Sequence, residues 1–266
     1  MMLHYNSTAD IAREYEAKVT HSDRSYLSSD TKWYNNETTK ETLQKCYNGD
    51  TSLVPMAERL MDKLDTQIET QRRIWEPCVA GAFPCVPDAI MGRPQSMRRI
   101  VHVPDEHTPI NIFVVTTCSA SISSNTMQER GIVILSLVMA LSRIRPVSLK
   151  QIAFMHGIKD DETIITSDIN TAPLDLASAC YVLTSAGFAR RITYGLARAM
   201  NNFNGRWPRA YSWDKEQYLT DLLNKLTPNP KMSLLIREAH SYDAMLHDPI
   251  KWVNEQIKRF TQQEEE

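Results

Sequence analysis

The sequence predicts an α/β protein built on a Rossmann-like mixed sheet, with a helical N-terminal extension packed against it. Three observations carry this. Ile110 to Thr117 (INIFVVTT) is a nearly unbroken apolar, β-branched run, the composition of a strand covered on both faces. Ile132 to Leu141 is a ten-residue apolar run broken only by Ser136, which suits a buried helix and is too short to span a bilayer. After Pro146, Val147 to Met155 returns to strand character. Strand, helix and strand joined by short links make a βαβ unit, which implies a right-handed parallel crossover.

The remaining elements follow in order. Asp10 begins a helix running to Val19, and Glu37 to Cys46 forms another, stopped by Asn48-Gly49-Asp50. Leu53, Met56, Leu60, Leu64 and Ile68 recur at three- and four-residue intervals, a helical period starting after Ser52. Pro77, Pro84, Pro87 and Pro94, with Gly81 and Gly92, cannot sustain a helix, so residues 74–95 read as an irregular crossing loop. Ile100 to Val103 is a strand. Asn125 with Gln128 can cap the apolar helix, which ends near Arg143. Ile164 and Ile165 add a short strand. Asp175 caps a long helix to about Met200, broken or bent near Gly187 and Gly195. A helix at Lys215–Leu226, a strand at Met232–Ile236 and an amphipathic helix at Pro249–Phe260 complete the chain. The division expected is 1–73 as the helical extension, 74–260 as the α/β core and 261–266 as an acidic tail.

Composition bounds the class. The 266 residues are 42% hydrophobic and 23% charged, ordinary for one large or two small soluble domains. The N-terminus (MMLHYNSTADIAREYE) has no apolar segment and an early Asp10, so no signal peptide is expected. Five cysteines without C-x-x-C spacing fit free thiols in a reducing cytoplasm better than disulfides or zinc.

Net charge is only −2, yet it is segregated along the chain. Residues 71–159 carry ten basic and five acidic groups, residues 160–175 five acids and no base, and residues 176–213 five arginines and no acid. Those arginines are Arg190, Arg191, Arg198, Arg206 and Arg209, interleaved with Phe188, Tyr194, Phe203, Trp207, Tyr211 and Trp213. Guanidinium groups neutralise phosphates, and aromatic rings offer faces on which unpaired bases stack. Arg93, Arg98 and Arg99 end a second acid-free stretch, and Arg143 and Arg145 follow the apolar helix. The candidate nucleic-acid-binding set is therefore Arg93, Arg98, Arg99, Arg143, Arg145, Arg190, Arg191, Arg198, Phe203, Arg206, Trp207, Arg209 and Tyr211. The plain alternative is a basic surface helix followed by a loop whose aromatics belong to the core.

Catalytic and metal signals are weak. The link after INIFVVTT reads Thr117-Cys118-Ser119-Ala120-Ser121. It resembles the D-x-S-x-S metal grip of a von Willebrand factor A-type domain, with Thr117 where the carboxylate should be. Magnesium needs a hard carboxylate anchor, so no metal is expected and the serines are read as caps of the following helix. The seven histidines show no H-E-x-x-H spacing, and no P-loop, G-x-S-x-G or G-x-G-x-x-G occurs. His156, just after a strand, and Asp160-Asp161-Glu162 leave only a weak hydrolase reading. Neither an enzyme nor a cofactor is expected.

The run Cys85-Val86-Pro87 through Gly92-Arg93-Pro94-Gln95-Ser96-Met97-Arg98-Arg99, the INIFVVTT strand and Met127-Gln128-Glu129-Arg130-Gly131 before an apolar helix resemble uncharacterised phage proteins. Across most of residues 37–245 the chain also resembles the Drc-type single-stranded-DNA-binding cofactors of phage RNA polymerases. That resemblance implies a virus-encoded early protein in the bacterial cytoplasm, coating single-stranded DNA and helping a polymerase engage melted promoters. It carries over no binding residue. The expected partners are single-stranded DNA and a phage RNA polymerase, with no membrane, and a homo-oligomer is compatible with the sequence. A metal-free von Willebrand A-like interaction module stands as the alternative.

Overall fold

The computed structural model describes residues 1–20, 31–64, 71–104, 109–156, 162–200, 209–210, 221, 223–227 and 229–262. The chain divides into two compact units, Met1–Asp65 with Pro109–Glu266, and Thr66–Thr108.

The larger unit is a mixed sheet flanked by helices, the α/β Rossmann-like class that the sequence predicts. Strands β1 (Met2–Tyr5), β5 (Ile110–Val115), β6 (Val147–His156), β7 (Glu162–Ile169) and β9 (Ser233–Ile236) lie in the order β1-β7-β6-β5-β9, with the short β8 (Arg209–Ala210) against β6. β5 pairs in parallel with β6 and with β9, whereas β6 and β7 are antiparallel. Ile110, Ile112, Phe113, Val114 and Val115 are all buried, as a central strand covered on both faces requires. A buried polar thread crosses the sheet: Gln151 Nε2 donates to Thr116 Oγ1 at 2.9 Å, and Ser167 Oγ donates to Gln151 Oε1 at 3.1 Å.

Helix α5 (Ser124–Ser142) joins β5 to β6 and is buried continuously from Arg130 to Leu141. A helix that is apolar all round must be covered all round. It is packed by α3 (Val54–Met61), α6 (Leu176–Thr184), α8 (Ala244–His247) and α9 (Pro249–Gln262). Its cap is Ser123, whose hydroxyl accepts from Thr126 N at 3.0 Å, and not the expected Asn125 with Gln128. Gly131 is where α5 and α6 touch, because a Cβ there would lie 2.2 Å from the Leu183 carbonyl oxygen.

The N-terminal residues are more than a helical extension. β1 enters the sheet as an edge strand, parallel to β7, with Met2 opposite Ile164 and Tyr5 opposite Ser167. Helix α1 (Thr8–Lys18) is capped by Ser7, and α2 (Thr39–Asn48) by a reciprocal Thr38–Glu41 capping box. Gly49 ends α2 at φ +70°, with Ala177 so close that a Cβ would sit 2.5 Å from it. The helix expected from Asp175 to Met200, broken or bent near Gly187 and Gly195, runs as three pieces: α6, a π-helical turn at Phe188–Thr193, and α7 (Tyr194–Met200). Most of the helix expected at Lys215–Leu226 lies outside the described residues.

The smaller unit replaces the irregular loop expected over 74–95, and the structural break falls at 65/66 and 108/109 instead of 73/74. Strands β2 (Gln71–Cys78), β4 (Met97–Pro104) and β3 (Phe83–Pro84) form an antiparallel sheet with β4 in the middle, and α4 (Val86–Ile90) follows β3. Pro77 does not break the strand. It sits opposite Arg98 on an outer strand, where a missing N–H is tolerated.

Candidate nucleic-acid interface

The arginines of the 176–213 stretch that lie among the described residues point largely inward. Arg190 is 1% exposed. Its Nη1 donates to Trp33 O at 3.0 Å, and its Nη2 donates to Ser119 O at 3.4 Å and to Ile122 O. The guanidinium also lies over the Trp33 ring, 4.7 Å from its centroid. Arg191 donates to Thr39 Oγ1 at 2.7 Å and Glu37 O at 3.1 Å, and covers the Tyr34 ring at 3.9 Å. Both therefore fasten the turn Thr31–Tyr34 and the start of α2 to the body, using acceptors that are distant in sequence. Arg145 is buried as well. Arg190 and Arg145 accordingly leave the candidate set, because a buried guanidinium cannot meet a phosphate, whereas Arg191 is half-buried with its guanidinium held by Thr39 and Glu37. Arg198 is half-buried and Arg143 exposed. Phe203, Arg206, Trp207 and Tyr211, and the side chain of Arg209, lie outside what the structure describes.

The arginines of the smaller unit are placed differently. Arg93 Nη1 meets Asp88 Oδ1 at 3.0 Å, and Arg98 Nη2 meets Asp88 Oδ2, so two guanidiniums share one carboxylate. A hydrogen bond from Cys85 and the charges of Arg98 and Arg93 hold the Asp88 carboxyl below its ordinary value. Arg99 places Nε and Nη2 on Glu76 Oε2 at 2.8 and 2.6 Å. Residues 71–104 carry five arginines against only Glu76 and Asp88.

Beside these lie two aromatic residues absent from the candidate set. Trp75 is 55% exposed and Phe83 47%, and their rings meet edge-to-face with centroids 4.7 Å apart. The register explains the meeting. Trp75 pairs with Ile100 and Phe83 with Arg98, so these four positions share one face of the sheet and the rings meet over β4 from its two sides. Glu76 and Arg99 are a pair one residue along and belong to the opposite face. The aromatic face thus carries Arg98, which brings Arg93 with it through Asp88. Trp75 follows Ile74 and precedes Glu76, so no period-two alternation marks the strand, and the prolines and glycines that come after it point to a loop.

The Thr117–Ser121 link does not assemble an ion site from its hydroxyls. Thr117 Oγ1 is buried, donating to Phe154 O at 3.0 Å and accepting from Phe154 N at 3.1 Å, so it ties β5 to β6. Ser119 and Ser121 hydroxyls bond to each other at 3.0 Å, leaving the helix cap to Ser123. Nearby, buried Arg130 donates to Arg237 O, and Glu238 Oε1 lies 3.2 Å from His240 Nε2. Among the described residues no group of three or more His, Cys, Asp or Glu is placed to hold a metal, and no helix is long and apolar enough to cross a membrane.

Comparison with known proteins gives a match over residues 1–231 to the family described as Domain of unknown function (DUF7192). No curated protein and no solved structure matches the chain significantly.

Proposed function

This chain belongs to the DUF7192 family, and we propose that it is a non-enzymatic single-stranded-DNA-binding protein whose stacking platform is the aromatic face of the small sheet. The observation that carries this reading is the solvent-exposed Trp75–Phe83 pair beside Arg98 and Arg93. Two large rings held on rigid strands next to cations offer what an unpaired base and its phosphate need. A duplex keeps its base faces stacked internally, so the same platform discriminates against it. Asp88 orients the two arginines and leaves the trio with a net positive charge. The resemblance noted in the sequence sets this binding in transcription by a phage RNA polymerase, or in replication, in the host cytoplasm.

A second reading has its own observation. Val79, Val86, Met91 and above all Ile90, 81% exposed, are apolar side chains on the same unit. Clustered exposed apolar groups favour a protein partner, as in a metal-free von Willebrand A-like interaction module. Titration of labelled oligonucleotides separates the two. Single strands should bind in preference to duplex, with log affinity falling against log salt by about 0.7 per phosphate neutralised. Equal binding of both forms, or a response indifferent to salt, favours the protein-partner reading.

A further inference from the structure

The larger unit carries a second surface, independent of the aromatic platform. Between α3, α5 and the segment from α8 to the first residue of α9 lies a groove of about 370 Å³. Its walls are Met56 and Leu60 on α3, Ile132 and Val133 on α5, Met245 and Leu246 on α8, and Pro249 at the start of α9. On α3 the residues turned to the body are Val54, Ala57 and Met61, so the groove residues Met56 and Leu60 form the neighbouring stripe at four-residue spacing, and Lys63 follows in the turn just past the helix end. Met56 is 50% exposed although it is a large apolar side chain. Arg59 on α3 and Lys63, two residues past its end, both line this side of the groove. Both are exposed, and neither has an ion-pair partner among the described residues. Glu129 stands on the opposite wall.

The geometry points to a docking groove for an amphipathic helix of a partner protein, one with two or three apolar side chains at helical spacing and acidic residues on the flank that faces Arg59 and Lys63. The apolar lining selects the class of occupant. Neither a nucleic acid nor a hydrophilic ligand would remove these methyl and thioether groups from water, whereas the apolar stripe of a helix does so at i, i+3, i+4 and i+7 positions. Met56 and Met245, unbranched and adaptable, can shape themselves to side chains of differing outline. The two unpaired cations set direction, because a helix docked with its acidic flank on α3 pairs them and the reversed helix does not. Glu129 adds to this by rejecting acid on its own wall.

The test uses the full chain and three fluorescein-labelled probe peptides of equal length. One carries leucines at i, i+4 and i+7 with glutamates along one flank, the second lysines in place of those glutamates, and the third the scrambled first sequence. By anisotropy the first should bind about tenfold more tightly than the second, and the third should not bind. R59E/K63E should reverse the order of the first two, and M56E should weaken both about tenfold with thermal unfolding unchanged, since Met56 is half in water already. Absence of saturable binding by the first two peptides, or binding indifferent to the charge reversal, overturns the inference. So does loss of single-stranded-DNA binding in R59E/K63E, which would give these cations to the nucleic acid. A dimer in sedimentation that M56E dissolves would assign the groove to a second copy instead, and would equally overturn it.

Discussion

Arg190 holds three carbonyl oxygens and a tryptophan ring from inside the molecule. Arg190→Met therefore leaves buried acceptors without donors, at about 1–3 kcal/mol each, and should lower unfolding free energy by about 3 kcal/mol or more. Urea denaturation reads that loss. An unchanged midpoint would mean that Arg190 is not the fastening described. Trp75→Ala should do the opposite, costing roughly 1–3 kcal/mol of single-strand binding with little change in Tm. These two residues show what a sequence reveals at this scale. Residue type names the chemistry a guanidinium or a ring can do, but its direction depends on partners 68 to 157 residues away, such as Ile122 and Trp33 for Arg190. No local pattern states them. Trp75, in a stretch rich in proline, needed the register against β4 to become visible as exposed.

Secondary-structure elements are legible in sequence where their apolar periodicity is long. The INIFVVTT strand, the apolar helix and the returning strand stand where their patterns put them, because a covered strand and a covered helix need unbroken apolar runs. Close contacts between helices leave no such pattern. Gly131 permits α5 and α6 to touch, and Gly131→Ala, forcing a methyl to 2.2 Å from the Leu183 carbonyl oxygen, should destabilise the larger unit by about 1–3 kcal/mol. A calorimetric scan unaltered by that methyl would contradict the contact. The smaller unit has an electrostatic clasp at Asp88. Its carboxyl titrates below the ordinary value in the folded protein, so the clasp contributes stability above the unfolded pKa of about 3.9 and loses it as pH falls through the lower folded value. The Trp75 indole resonance should keep its folded position at pH 5 and move only below about pH 4. In Asp88→Asn the acid transition should vanish from that resonance. A transition near neutrality would show that another group governs the unit.

For the whole molecule, a net charge of −2 conceals a bipolar chain. Three-dimensional placement redistributes it: the basic stretch most visible in sequence partly lines the interior, while the smaller unit presents cations beside bare rings. The central claim is that this aromatic face, and not the Arg190–Arg191 pair, binds single-stranded DNA. Fluorescence anisotropy of a labelled oligothymidine against the parent, the double variant Trp75→Ala with Phe83→Ala, and Arg191→Ala tests it most directly. The account predicts a loss of roughly 2–6 kcal/mol in affinity for the aromatic double variant, from about 1–3 kcal/mol per stacked base, at an unchanged Tm. It predicts parental affinity with reduced stability for Arg191→Ala. An aromatic double variant that binds like the parent, with binding lost instead in a still-folded Arg191→Ala, would contradict it.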